Sequence, residues 1–435
     1  MKHSYLTATV LSAVFASTAA MAADPAKIDW SKIPAKELTL FYPGQSSWEW
    51  MISAAHKAGA IGVRDGKNCN ECHTGEEKDM GDVIVSGKKL EPKPLSGKPG
   101  SAKVAVQAAF DSDNLYLRAQ WADDGVPGVY YPAFIFKNGK WEKFGNHRGE
   151  DKVATGAEPA VYEDRISFMF GDDNKVPEFK SAGCWVTCHN DLRYMPNHPK
   201  KDEVEAHVFW GKDGAKKSDM RKYLKDTRTS LDETGGWKNP KSKEELTALK
   251  DKGYLLDLLQ WRAHRSDPIG VGDDGFVGDY RNFDAGKKTF TDNWDKDKNE
   301  PKWMFSGAKP VLAASDLLTS ANMMLDSNIA PYDAAVAAKE GAVLPQWLVT
   351  SKVEGSAADI AYSKGAHDGK GWTVVMARKL ATGNKDDVQM AAGQTYTLGL
   401  SFHDDNTTAR WHFVSFPATF SLGKGDGVIN AVQLK

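Results

Sequence analysis

Val104-Ala105-Val106-Gln107-Ala108-Ala109-Phe110-Asp111-Ser112-Asp113-Asn114-Leu115-Tyr116-Leu117-Arg118-Ala119-Gln120-Trp121 decides the fold of this chain. Val104, Val106, Ala108 and Phe110 alternate onto one face, four turn-forming residues follow, and Leu115, Leu117, Ala119 and Trp121 alternate again. A two-residue period on either side of a turn predicts a β-hairpin. The same texture returns in Trp372-Thr373-Val374-Val375-Met376, in Tyr396 to Phe402 and in Trp411 to Phe416. Strands at both ends of a long region predict a mainly β chain, a β-sandwich whose middle carries long loop and helical insertions. The 39 glycines, 14 tryptophans and 13 tyrosines agree with strands and turns.

Two cysteine pairs, each running into a histidine, hold all four cysteines: Cys69-Asn70-Glu71-Cys72-His73 and Cys184-Trp185-Val186-Thr187-Cys188-His189. The first has the C-x-x-C-H spacing of covalent haem c attachment, in which two thiols bond the porphyrin and the next imidazole ligates iron. The second carries one extra residue between its thiols but keeps the Cys-His step. It reads as a variant of the same device. Zinc would use the thiols without needing a histidine after each pair, and disulfides within pairs this close would add little stability. The expected cofactors are therefore two covalently bound haem c groups on Cys69, Cys72, Cys184 and Cys188. His73 and His189 are then the proximal iron ligands.

Met1-Lys2-His3, an apolar run from Leu6 to Ala20 and Ala20-Met21-Ala22 together read as a secretory signal peptide over 1–22. Haem c attachment is completed outside the cytoplasm in bacteria, so motif and signal agree on a periplasmic protein without a membrane span. Three regions follow. Residues 23–98 form a small helical haem segment, and residues 99–435 a β-sandwich haem-binding domain with an insertion over about 176–345 that carries the second motif. Net charge is −2, which does not suggest nucleic acid. The lysines at 200–201 and from Lys216 to Lys225 read as solvated faces, with docking to an acidic redox partner as the rival. Gly/Asp/Asn-rich loops from Asp267 to Glu300 are long enough to build a site.

Ser46-Ser47 caps a predicted helix through Trp48, Ile52, Ala55 and His56, which Gly59 ends. Its spacing of four puts His56 on the apolar stripe, as a sixth ligand to the first iron, with Met80 as rival. Ser242-Lys243-Glu244-Glu245 is a capping box opening another helix.

Ala109 to Trp121, Tyr162-Glu163-Asp164-Arg165-Ile166, Leu258-Leu259-Gln260-Trp261-Arg262-Ala263-His264-Arg265-Ser266-Asp267-Pro268, Trp372 to Leu380 and His403-Asp404-Asp405 resemble the haem-binding domain of the ethylbenzene dehydrogenase γ-subunit family. The resemblance runs discontinuously from Val104 to Lys435. It implies a β-sandwich holding one haem at the edge of its sheets and exchanging electrons with a molybdenum enzyme. The family's haem is non-covalent and held by methionine and lysine. Here Cys184, Cys188 and His189 stand where the methionine is expected, and Arg410-Trp411-His412-Phe413-Val414-Ser415-Phe416 stands where the lysine would fall. His412 shares strand parity with Val414 and Phe416, which makes it the expected sixth ligand of the second haem. Met169, Met195, His207 and His264 are the alternatives. His403 is a further candidate, reaching the first haem from the sandwich side, and His147, His198 and His367 read as solvent-facing.

With both irons six-coordinate, substrate cannot reach them and the chain is a one-electron carrier of a respiratory chain. Its partner is a periplasmic molybdoenzyme or a membrane quinol-oxidising cytochrome. The first alternative is a haem enzyme with one open iron, acting on a small molecule such as peroxide or an oxyanion. The second is a haem-bearing binding module that uses Trp210 or Trp237 as a stacking platform.

Overall fold

The computed structural model describes residues 23–123, 125, 127–318 and 323–434, so the signal peptide read over 1–22 lies outside the described residues. The opening hairpin forms as expected. Strands β2 (Ser101–Phe110) and β3 (Asn114–Ala122) pair antiparallel from Phe110 opposite Leu115 to Val104 opposite Trp121. Asp111 closes the turn, its Oδ1 accepting from the amides of Asp113 at 2.9 Å and Asn114 at 2.7 Å. Such an Asx turn satisfies backbone donors that the ladder leaves open.

Around this hairpin lie β1 (Lys36–Phe41), β4 (Arg165–Gly171), β5 (Leu256–Arg262), β6 (Gly275–Val277), β7 (Arg281–Phe283), β8 (Tyr362–His367), β9 (Gly371–Lys379), β10 (Thr395–His403), β11 (Phe413–Val414), β12 (Ala418–Leu422) and β13 (Ile429–Gln433). One layer runs β8-β9-β3-β2 and the other β10-β4-β5-β6-β7. Two corners join them. At one end β1 and β11 bridge β2 to β10, and at the other β13 and β12 do the same. Strands β5 to β7 come from within residues 176–345, so the second layer recruits three strands from the stretch read as insertion. The chain is mainly β, in the sandwich-like arrangement its alternation predicts.

Side chains of the two layers meet between them. Trp121 of β3 and Trp372 of β9 touch Trp261 of β5 with ring centroids 6.0 and 4.7 Å away, and Trp121 lies 5.6 Å from Phe402 of β10. Gly365 of β8 seals the far edge, because a Cβ there would stand 2.3 Å from the Trp261 indole. The helix at Lys243–Asp251 opens with the expected capping box, the Glu245 amide donating to Ser242 Oγ at 3.2 Å. No helix of the described residues is long and apolar enough to cross a membrane.

Candidate cofactor site

The first motif sits among four short helices: α1 (Trp48–Met51), α2 (Gly59–Arg64), α3 (Asn70–His73) and α4 (Glu77–Val85). Ser47 caps α1 as expected, accepting from the Trp50 amide at 3.1 Å. The helix then fails to continue to His56. Ser53 caps a separate 3-10 turn over Ala54–His56, Lys57 takes a φ of +53°, and Gly59 opens α2 where it was expected to end a helix. The spacing of four was therefore not one stripe: two serine caps compete with helix propagation.

His56 nonetheless arrives at the motif. Its ring lies under Trp50 at 4.9 Å, and a Cβ on Gly59 would come within 2.6 Å of its Nε2, so only glycine leaves the imidazole room. His56 Nδ1 pairs with Met51 O and His73 Nδ1 with Glu76 Oε2, each at 2.9 Å. Anchoring Nδ1 fixes which nitrogen is free, and in both rings that is Nε2. The rings face one another with centroids 6.1 Å apart and planes 20° from parallel. Two imidazoles sharing one metal, each nitrogen about 2 Å from it, have centroids roughly 6 Å apart. The centroid spacing of His56 and His73 matches that of two such ligands. Met80, the rival ligand, lies on α4 and packs partly buried against the main core.

The second motif forms a 3-10 turn over Gly183–Thr187 and is held by residues just ahead of the first. Trp185 Nε1 donates to Ser46 Oγ at 2.8 Å, and the Trp48 amide donates to Cys188 O at 2.7 Å. His189 is wholly buried, with Nδ1 on Glu49 Oε1 at 2.5 Å and Nε2 on Tyr223 O at 3.0 Å. The Tyr223 ring lies parallel to it at 3.9 Å. Unlike His73, His189 has neither nitrogen free, and ligating a metal requires Nε2 to leave Tyr223 O.

His412 also departs from its expected setting. The strand there is only Phe413–Val414, so strand parity does not orient the imidazole; His412 follows a 3-10 turn and its Nδ1 donates to Ala409 O. Its ring stacks on His403 at 5.0 Å. Burial pushes His412 down to about 3, with the Lys222 ammonium adding to the effect, and holds His403 well below the usual histidine range. Lys98 shares this interior, its ammonium 3.8 Å from the centre of the Phe413 ring; burial lowers it to about 8. Lys98 Nζ and His403 Nδ1 are buried without a hydrogen-bond partner. Orphaned polar nitrogens in a native interior call for an explanation, and Lys98, His403 and His412 together make this interior rich in nitrogen donors of the kind that ligate iron. Lys222 links this interior to the second motif, donating to Thr187 Oγ1 at 3.3 Å, so the lysine run read as a solvated face is partly turned inward.

The other candidates lie elsewhere. Met169 is a core residue of β4, Met195 packs with Leu192 and Tyr223 near Cys188, and His207 Nε2 pairs with Lys238 O at 3.2 Å. His264 is buried with Nδ1 on Val129 O at 3.2 Å and Nε2 unpartnered. His198 is exposed, but His147 is not: it is enclosed by Glu150, Tyr194 and Trp411. His367 likewise reaches inward to within 3.2 Å of an Asp123 carboxylate oxygen. Trp210 is fully buried and donates to Trp237 O at 2.6 Å, and Trp237 is 9% exposed, so neither forms a stacking platform.

The two motifs are neighbours. The Cys69 amide donates to Ser181 O at 3.0 Å, and Phe416 lies between His73 at 6.1 Å and Trp185 at 5.8 Å. Helix α1 serves both, since Glu49 grips His189 while Met51 O grips His56. Glu49 was missed in the sequence because a first-turn acid usually reads as a dipole partner. Its position between Trp48 and Trp50 was the available signal.

None of the four cysteines is in a disulfide, and burial raises the Cys69 thiol to about 12 and the Cys188 thiol to about 11. Zinc binds thiolates. Among the described residues, the groups that gather within metal-binding distance consist of aspartates, without a cysteine.

The model of the ethylbenzene dehydrogenase family matches residues 27–415. This chain belongs to that family. Among its relatives, cytochrome c-552 of Stutzerimonas stutzeri is 28% identical over 411 residues, covering 94% of this chain and 91% of that protein. Cytochrome c-551 of Rhodocyclus tenuis is 34% identical over 177 residues, 40% of this chain and 60% of that one. In this member of the ethylbenzene dehydrogenase family, two of the quoted motifs interlock: Arg165 of β4 pairs with Arg262 of β5, and Glu163 receives both Arg262 and Arg265.

Proposed function

We propose that the chain is an exported dihaem cytochrome c that carries single electrons in a periplasmic respiratory chain. The observation that carries this reading is the opposed pair His56 and His73, each anchored through Nδ1, beside Cys69 and Cys72. Haem supplies a one-electron change at iron. The protein's part is to fill both axial positions, exclude other ligands and set the potential through the imidazoles and their carbonyl and carboxylate partners. Two histidines in place of histidine and methionine favour a low potential. At the second motif Cys184 and Cys188 hold the haem, His189 is the proximal ligand, and His412, with His403 stacked on it, approaches from the sandwich side. The cytochrome names of relatives matched over most or part of their length support the same reading. The partner is a redox protein, a molybdoenzyme or a quinol-oxidising cytochrome.

A second reading draws on His189. With its Nε2 engaged by Tyr223 O, the second iron has an open position and reduces or oxidises a small molecule. Visible spectra with a haem count separate the two. The carrier reading expects two haems per chain and reduced spectra unmoved by carbon monoxide, and His56→Ala should make one of the two irons bind it. A carbon monoxide shift in the unaltered protein favours the open site. A single haem, or His56→Ala leaving the spectra unchanged, overturns the ligand assignment.

A further inference from the structure

Five aspartates converge far from the cysteines in sequence: Asp257 on β5, Asp274 just before β6, Asp284 just after β7, and Asp386 and Asp387 between β9 and β10. None is more than 6% exposed. Carboxylate oxygens of Asp257, Asp274 and Asp387 lie within 4.8 Å of one another, as do those of Asp284, Asp386 and Asp387. The cation in ion-pair contact with this group among the described residues is Arg378, bound to Asp257. Five carboxylates against one guanidinium leave a large uncompensated negative charge in the interior, which is costly unless a cation or protons neutralise it.

The way the carboxylates are held favours a cation. Asp257 Oδ2 accepts from Arg378 and from the Val388 amide at 3.0 Å, Asp274 Oδ1 from the Gly275 amide at 3.0 Å, and Asp387 Oδ2 from Thr382 Oγ1 at 2.6 Å. In each of the three the other oxygen is buried and unpartnered, and Asp284 has both oxygens so. Asp386 is oriented by Ser356 Oγ at 3.0 Å and the Ala285 amide at 3.2 Å. One oxygen fixed by an outer donor and the other left bare is how ligating carboxylates are positioned. A proton shared between the neighbouring Asp284 and Asp387 carboxyls is the rival way to neutralise the cluster, and the test below separates the two.

We propose that this cluster is a calcium site. An all-oxygen set of many carboxylates suits calcium, since magnesium keeps most of its water and takes one or two carboxylates, and zinc prefers nitrogen and sulfur. The ion ties the β5–β7 edge of one layer to the β9–β10 connection, beside the Arg378–Asp257 pair that already crosses between them. The role is structural and independent of the haem reading.

The test uses the holoprotein stripped of divalent ions by chelation and titrated with calcium chloride, read by thermal unfolding and calorimetry. Calcium should raise the unfolding midpoint by several degrees through preferential binding to the folded state. Asp284→Asn should weaken calcium binding at least tenfold while leaving the calcium-free midpoint unchanged or higher, because it removes a repelling charge. Asp387→Asn, shared by both triads, should weaken it further. A wild-type midpoint indifferent to calcium, rising instead on mild acidification, would identify protonated carboxyls and overturn the site. So would a calcium response that survives both substitutions, since Asp123, Asp164 and the partly buried Asp404 form another acidic group able to supply it.

Discussion

Glu163→Gln is expected to remove about 3–5 kcal/mol of stability, the usual cost of breaking one side of a buried ion pair. The Glu163 side chain has no exposure. Its Oε1 accepts from Arg265 Nε at 2.6 Å and lies 3.5 Å from Arg262 Nη1, and its Oε2 accepts from the amides of His264 at 3.1 Å and Arg265 at 3.0 Å. Glutamine keeps the shape but leaves the buried Arg265 guanidinium without its counter-charge, while Arg262 keeps Asp273 at 2.6 Å. Burial alone would raise this carboxyl, yet Arg265 and Arg262 outweigh it and hold Glu163 down to about 2, against an ordinary 4.5. A folded-state value below the unfolded one means that the unfolded chain binds more protons in that window. The stabilisation is therefore complete above pH 4.5 and lost as pH falls toward 2. Urea unfolding across that range should show a steep acid loss in the wild type and a flatter one in the variant. Equal midpoints at neutral pH would show that the cluster contributes nothing net.

Cys184→Ala/Cys188→Ala should lower the covalent haem count from two to one on the proposed reading, with the first haem's spectrum preserved. Haem-stained gels and a haemochrome assay on the exported protein read this directly. The preserved Soret band of the first haem separates loss of attachment from failure to fold. A count that stays unchanged would show that the wider motif does not bond haem.

The hairpin was legible because a period of two, interrupted by Asp111 to Asn114, has few other structural meanings. The corners that close the two layers were not: Phe413–Val414 is two residues long, and its partners lie at opposite ends of the chain. The helix expected through His56 failed because Trp48, Ile52 and His56 imitate a stripe that Ser47 and Ser53 divide. His56 nevertheless reached the motif by a different local path. Cys69 to His73 announced themselves by spacing, and their geometry is local in sequence. Glu49, Tyr223, Lys98 and the five aspartates did not, since their meaning arises only when strands distant in sequence are brought together.

The closure of strand β10 over the second motif sets an order of assembly. A Cβ on Gly399 of β10 would stand 2.7 Å from Cys184 Sγ, and one on Gly183 would stand 3.1 Å from Pro417. Cys72, in contrast, remains exposed on its short helix. The Cys72 thiol stays within reach of a modifying enzyme after the sandwich has formed. The Cys184 thiol does not, so any bond it is to make has to be made while the last forty residues of the chain are still undocked, and the C-terminal strands then act as the lock on a finished step.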